Sequence, residues 1–150
     1  MGSFLKETLR IYMVGAGNSI RTVVSPGGFT FSDGLYVPAG VTVCVYSEGV
    51  HLDPKNYYNP EAFDAFRFGS PFNAQAGLGD TSDAPKVHWT MPSSTFLTFG
   101  GGNNVCPGRR LADIQLRIAL SYFLENYEFS LPPIRPAKTF MWLFQTPPLY

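Results

Sequence analysis

Residues Phe99 to Ala112 read FGGGNNVCPGRRLA, and they leave the chain few ways to fold. Three consecutive glycines, Gly100 to Gly102, permit backbone conformations and close approaches that side chains would block. Pro107 suits a first helical position, where its missing N–H costs nothing. The strongest helical pattern of the chain follows, from about Arg109 to Leu124. Leu111, Ile114 and Ile118 form one apolar stripe; Ala112, Leu116, Ala119 and Phe123 form the next. A helix apolar over that much of its circumference is expected to be buried. Between glycines and helix stands Cys106, one of only 2 cysteines.

Most readings of that cysteine fail on spacing. A phosphate loop needs Gly, four residues, then Gly-Lys-Ser/Thr, whereas Arg109 and Arg110 follow Gly108 and no Lys is near. The dinucleotide fingerprint requires a glycine where Val105 stands. A nucleophilic cysteine needs a histidine base; His51 and His88 exist, neither adjacent in sequence. Zinc needs about four ligands in characteristic spacing. Cys44, in the apolar run VTVCVY, reads as a buried small hydrophobe, and the two cysteines allow one disulfide at most. Two readings of Cys106 stay open. One is a buried structural thiol. The other is a thiolate, favoured by the unpaired N–H groups of a helix start and aimed at a flat ligand lying on the glycines. A lone thiolate without further protein ligands suits haem iron.

The rest of the chain suggests one domain's worth of core and irregular connections. With 150 residues, 45% of them apolar, a domain of this size buries about 70% of the surface of its unfolded chain. Phe and Pro each occur 13 times, which points to an aromatic core joined by many turns. SFLKETLRIYMV has a helical pattern beginning after Ser3, a candidate N-cap, and ending at Gly15 and Gly17. IRTVV reads as a strand, and FTFSDGLYVPAGVTVCVY as a hairpin turning at Asp33-Gly34 and followed by another strand. From His51 to about Ser94 the chain is rich in Pro, Asn and Gly yet carries Phe63, Phe66, Phe68 and Trp89. Disorder would show few aromatics, so an ordered functional loop is expected. YEFSL and TFMWLFQ read as further strands.

Charge excludes some partners. Eleven basic residues balance 11 acidic ones, so no electrostatic footprint for nucleic acid or anionic membrane is present. No apolar run reaches the ~20 residues of a spanning helix, and the N-terminus lacks the apolar region of a signal peptide. Taken alone, the sequence reads as cytosolic by default.

Phe99-x-x-Gly102-x-x-x-Cys106-x-Gly108, continued by Arg-Arg-Leu-Ala112, closely resembles the haem-binding signature of the cytochrome P450 family. ETLR, Glu7 to Arg10, resembles its Glu-x-x-Arg helix. HLDP, His51 to Pro54, resembles the stretch after its central strands, and NPEAFDAFRF, Asn59 to Phe68, the segment contributing a second arginine, here Arg67. The resemblance spans about Ser3 to Pro133 and is fungal in flavour. It implies an α+β fold, the C-terminal part of the cytochrome P450 fold: Glu-x-x-Arg helix, small mostly antiparallel sheet, meander, cysteine loop and buried helix. Residues 1–150 would form a single partial domain.

The resemblance also implies a site. Haem b would be bound with Cys106 as axial thiolate, Phe99 beside the sulfur, and Gly102, Gly108 and Ala112 in the cofactor-binding loop. Arg21 and Asn104 would reach the haem propionates. The family usually has Arg or His where Asn104 stands, and an amide lacks the charge-assisted part of such a bond. Glu7, Arg10 and Arg67 would form a buried network bracing the loop. The implied activity is monooxygenation of a small organic substrate with electrons from a reductase. The family's membrane anchor, most substrate contacts and the acidic-threonine helix that delivers protons to oxygen have no counterpart in these residues. A catalytically inactive haem-binding fragment and a non-haem remnant are therefore the alternatives to an enzyme.

Overall fold

A computed structural model of the chain describes residues 1–13, 17–69 and 88–130. Helix α1, Gly2–Ile11, opens it. Its inward face carries Leu5, Glu7 and Arg10, so two charges lie where an ordinary amphipathic helix would place apolar residues. Ser3 is inside the helix rather than at its cap, which is Met1. Its hydroxyl instead accepts the Phe68 N–H at 3.1 Å, tying the first turn to the meander. The helix closes at Ile11, where the Tyr12 N–H reaches the Thr8 carbonyl; Gly15 lies outside the described residues.

Strand β1, Gly17–Thr22, pairs antiparallel with β4, Thr42–Tyr46, with Arg21 opposite Val43 and an irregularity between Asn18 and Arg21. Strands β2, Phe29–Thr30, and β3, Tyr36–Val37, form a hairpin. Its turn is the expected Asp33-Gly34. Gly34 has φ of 91°, a value glycine alone adopts without cost, and the Asp33 carboxylate accepts the Leu35 N–H at 3.0 Å. Cys44 is exposed on β4, against the expectation of a buried thiol. The reason is that β4 belongs to a sheet of two strands, too narrow to cover both of its faces.

Helix α2, Ser47–His51, ends where the stretch expected to be irregular begins and was not expected from the sequence; five residues are too few for a helical period to show. Residues 52–69 then run through successive turns. Carboxylates of Asp53 and Asp64 accept backbone N–H groups two residues on, a local alternative to helix or strand. Of the four expected aromatic anchors, Trp89 is buried and Phe68 half-buried, whereas Phe63 and Phe66 are exposed. Phe96 is fully buried, Phe68 meets it edge-on at 6.3 Å, and Tyr57 meets Phe68 at 6.1 Å.

Helix α3, Arg109–Asn126, matches the expected span. Its burial does not match. Among the described residues of α3 only Asp113 is buried, while Leu111 is 58% and Ile118 66% exposed. The apolar stripes exist, and no described element lies against them. Residues 127–130 are not in a strand, so the YEFSL expectation fails there, and TFMWLFQ lies outside the described residues.

Candidate cofactor-binding loop

A fully buried pair of opposite charges, Glu7 and Arg10, is assembled on α1. Residues three apart share a helix face, and Arg10 uses that spacing to hold Glu7 bidentately, Nε to Oε2 and Nη2 to Oε1, each at 2.8 Å. Arg67 reaches in from the meander, its Nε donating to both carboxylate oxygens at 3.0 and 3.1 Å. The Asp64 N–H adds a fourth donor at 3.0 Å. One carboxylate facing two guanidiniums leaves a positive charge over, and backbone carbonyls take it up: His51 O at 2.7 Å from Arg10, Tyr58 O at 2.7 Å and Ala62 O at 2.9 Å from Arg67. Desolvation pushes the Glu7 carboxyl upward, but the donors from Arg10, Asp64 and Arg67 outweigh it and hold it below its ordinary range. Burial of charge is tolerated only with partners on every side, as here.

His51 joins this network to the segment leading into the cysteine loop. The fully buried ring stacks on Phe96, centroids 5.4 Å apart and planes within 9°. Its Nε2 receives the Leu97 N–H at 2.8 Å and its Nδ1 lies 3.2 Å from the Arg10 carbonyl. Desolvation lowers its pKa to about 4, opposed by the hydrogen bond to Arg10 and aided by the Arg10 charge. The Thr98 hydroxyl donates to the Leu9 carbonyl at 3.1 Å, a second tie to the end of α1.

From there the loop closes on itself. The Gly100 N–H returns to the Leu97 carbonyl, and the Cys106 N–H to the Phe99 carbonyl at 2.8 Å. Gly100 has φ of 78°, and a Cβ there would stand 3.2 Å from the Asn104 carbonyl oxygen, so both backbone sign and space demand glycine. Gly102 to Asn104 make a single 3-10 turn. Cys106 presents a free, exposed thiol, and a Cβ at Gly108 would touch its Sγ at 3.7 Å.

A second polar cluster fastens α3 to the same segment. Asp113 accepts the Trp89 indole N–H and the Arg117 guanidinium on one oxygen and His88 Nε2, at 3.0 Å, on the other. Desolvation raises its carboxyl, yet these partners leave it below the ordinary carboxylate range. Thr90 hydrogen-bonds His88 Nδ1. Both histidines therefore have both ring nitrogens engaged away from Cys106, which removes the cysteine–histidine nucleophile.

The expected site residues fall in three places. Glu7, Arg10 and Arg67 meet. Phe99, Gly102, Asn104, Cys106 and Gly108 form one loop, with Ala112 on the first turn of α3, its N–H on the Gly108 carbonyl. The Phe99 ring turns to Trp89, edge-on at 6.1 Å. Arg21 lies on β1, exposed, its guanidinium on the neighbouring Ile20 carbonyl; β1 passes the loop at Ser19, whose Oγ is 3.9 Å from the Cβ position of Gly100. Sequence reasoning missed His51 and the Asp113 cluster as polar keystones. The four-residue spacing of Asp113 and Arg117 was the available signal for the latter.

The sequence model described as Cytochrome P450 matches residues 1–150. The chain belongs to the cytochrome P450 family. Among relatives of this P450 chain, cytochrome P450 monooxygenase CYP3 of Pyricularia oryzae is 39% identical over 128 residues, covering 85% of this chain and 23% of the relative. Cytochrome P450 monooxygenase ccsG of Aspergillus clavatus is 36% identical, covering 93% of this chain and 27% of the relative. The P450 chain thus spans about a quarter of the length of the curated relatives it matches. A zebra fish cytochrome P450 solved with abiraterone superposes with TM-score 0.63 at 30% identity, over 87% of this chain and 26% of that one. A retinoic acid bound cyanobacterial CYP120A1 shares the fold, with TM-score 0.64 over 89% of this chain and 26% of that one. The α+β architecture is that of the corresponding part of a P450. Among the described residues, no helix is long and apolar enough to cross a membrane.

Proposed function

We propose that this P450 chain carries the haem-binding part of a monooxygenase, with Cys106 as the thiolate ligand of the iron. The carrying observation is the free, exposed Cys106 thiol on a loop of fixed backbone with glycines on either side of it. No group of three or more His, Cys, Asp or Glu that could hold a bare metal ion occurs among the described residues. A single sulfur donor fits a cofactor that supplies the remaining ligands itself, as haem does. Haem b bound here would bring the family's chemistry, in which two electrons from a reductase and two protons place one oxygen atom of O2 in an organic substrate and the other in water.

The chain's own residues have narrower tasks. Cys106 would hold the iron, and the bond from its N–H to the Phe99 carbonyl fixes the backbone that carries the sulfur. Gly102, Gly108 and Ala112 keep the loop and the first turn of α3 slim enough for a flat macrocycle. Asn104 and Arg21 would bind the propionates, Asn104 without charge assistance and Arg21 by leaving the Ile20 carbonyl it holds. Phe99 limits water near the sulfur. Glu7, Arg10 and Arg67 hold the loop from behind. The substrate is a small organic molecule and the electron donor a reductase.

The test is a haem titration of the purified chain, reduced and exposed to carbon monoxide, beside Cys106→Ala. A stoichiometric complex with the red-shifted Soret band of thiolate ligation, lost in Cys106→Ala, is expected. Equal, non-stoichiometric binding by both proteins would rule the assignment out and leave a non-haem remnant. A thiolate band without turnover of any substrate would leave a haem-binding module.

A further inference from the structure

We infer that His51 is a positioning residue for the cysteine loop, its imidazole joining the last turn of α1 to the root of the loop that carries Cys106. The inference deepens the haem-thiolate reading, and only its consequence at the iron rests on that reading.

The hydrogen-bond partners fix the state of the ring. The Leu97 N–H can only donate, so Nε2 accepts; the Arg10 carbonyl can only accept, so Nδ1 carries the hydrogen. His51 is thus held as one neutral tautomer, with a donor on one side and an acceptor on the other. Its own carbonyl receives Arg10 Nη1 at 2.7 Å, so residue 51 grips Arg10 twice. Carbonyls in the last turn of a helix lack partners within it, and those of Leu9 and Arg10 are the two points to which residues 97 and 98 are tied. Leu97 in turn receives the Gly100 N–H, and the loop closes through Phe99 and Cys106. The position of the cysteine backbone is therefore referred, through one imidazole, to the same arginine that holds Glu7.

Two substitutions separate this role from mere core filling. In His51→Gln the side-chain oxygen reaches the place of Nε2 and keeps an acceptor for Leu97, while residue 51 still holds Arg10 through its own backbone carbonyl. In His51→Asn the amide keeps the Arg10 contact and stops short of Leu97. Amide hydrogen exchange read residue by residue on the full chain is expected to accelerate about 10-fold or more at Gly100 and Cys106 in His51→Asn, with mid-α3 amides unchanged and His51→Gln close to wild type. Equal exchange in the two variants, or acceleration of loop and α3 amides together, would overturn the role. The wild-type chain offers a measurement independent of folding in the variants: a scalar coupling across the hydrogen bond between the Leu97 amide nitrogen and His51 Nε2. Its absence also overturns the inference. In the haem-loaded chain the thiolate-type share of the carbon monoxide complex should fall in His51→Asn and return in His51→Gln. If the wild type shows no thiolate band, the haem reading fails, and exchange with the coupling still decides the part played by His51.

Discussion

Glu7 carries a negative charge into a place closed to water, and two arginines follow it there. A pair made only of Glu7 and Arg10 would be a modest bond on a solvated helix; buried, each charge must be matched or the site is costly. Arg67 has a 10% exposed side chain and serves Glu7 together with carbonyls of the meander. Arg67→Ala should therefore cost about 3–5 kcal/mol, seen as a lowered urea midpoint, and should reduce haem retention. Arg67→Lys should recover only part, because a point charge cannot replace a planar fork. Unchanged midpoint and haem content in Arg67→Ala would refute the bracing role. The spacing of Glu7 and Arg10 was readable in sequence. Arg67 stands 60 residues from Glu7, and only resemblance to a family pointed to it. His51 gave no signal of its own kind, since a buried tautomer is fixed by partners far away in sequence, at Arg10 and Leu97.

Elements divide in the same way. The Asp33-Gly34 turn was legible because its chemistry is local: a short carboxylate and a positive φ. The span of α3 was legible from its apolar period, but a period says which residues share a face and not whether another element covers it. Helix α2 and residues 127–130, which join no strand, show the limit for short segments. The Asp113 cluster explains how α3 is held to the rest: one carboxylate near its start ties the helix to Trp89 and His88. Bonds to a charged group contribute about 1.5–3 kcal/mol each. Asp113→Ala should cost on the order of 3 kcal/mol and shift Trp89 emission to the red as the indole gains water. A blue or unchanged emission with full stability would show that α3 is held by other contacts.

The whole molecule should respond to acid in two stages. His51 has an ordinary pKa of 6.5 and one of about 4 in the fold. A depressed folded value means the unfolded chain binds the proton more readily, so stability is complete above pH 6.5 and falls as pH drops toward 4. The loss amounts to about 3 kcal/mol. Glu7, also depressed, contributes stability present above its ordinary 4.5 and lost as pH falls further. Urea unfolding at pH 7.5 and 4.5 should show the first stage, and His51→Gln should flatten it; an equal slope in both proteins would contradict the assignment. The Glu7 site also sets an order of events during synthesis. Helix α1 leaves the ribosome ahead of the meander, and Arg67 emerges 60 residues later than Glu7, a delay of roughly 3–12 s at about 5–20 residues per second. Until the meander emerges Glu7 and Arg10 face water, and the His51 and Ala62 carbonyls that receive Arg10 come only shortly ahead of Arg67. The meander must arrive before the two charges can be enclosed, and the cysteine loop, still later in the chain, finds its anchor at the end of α1 already assembled.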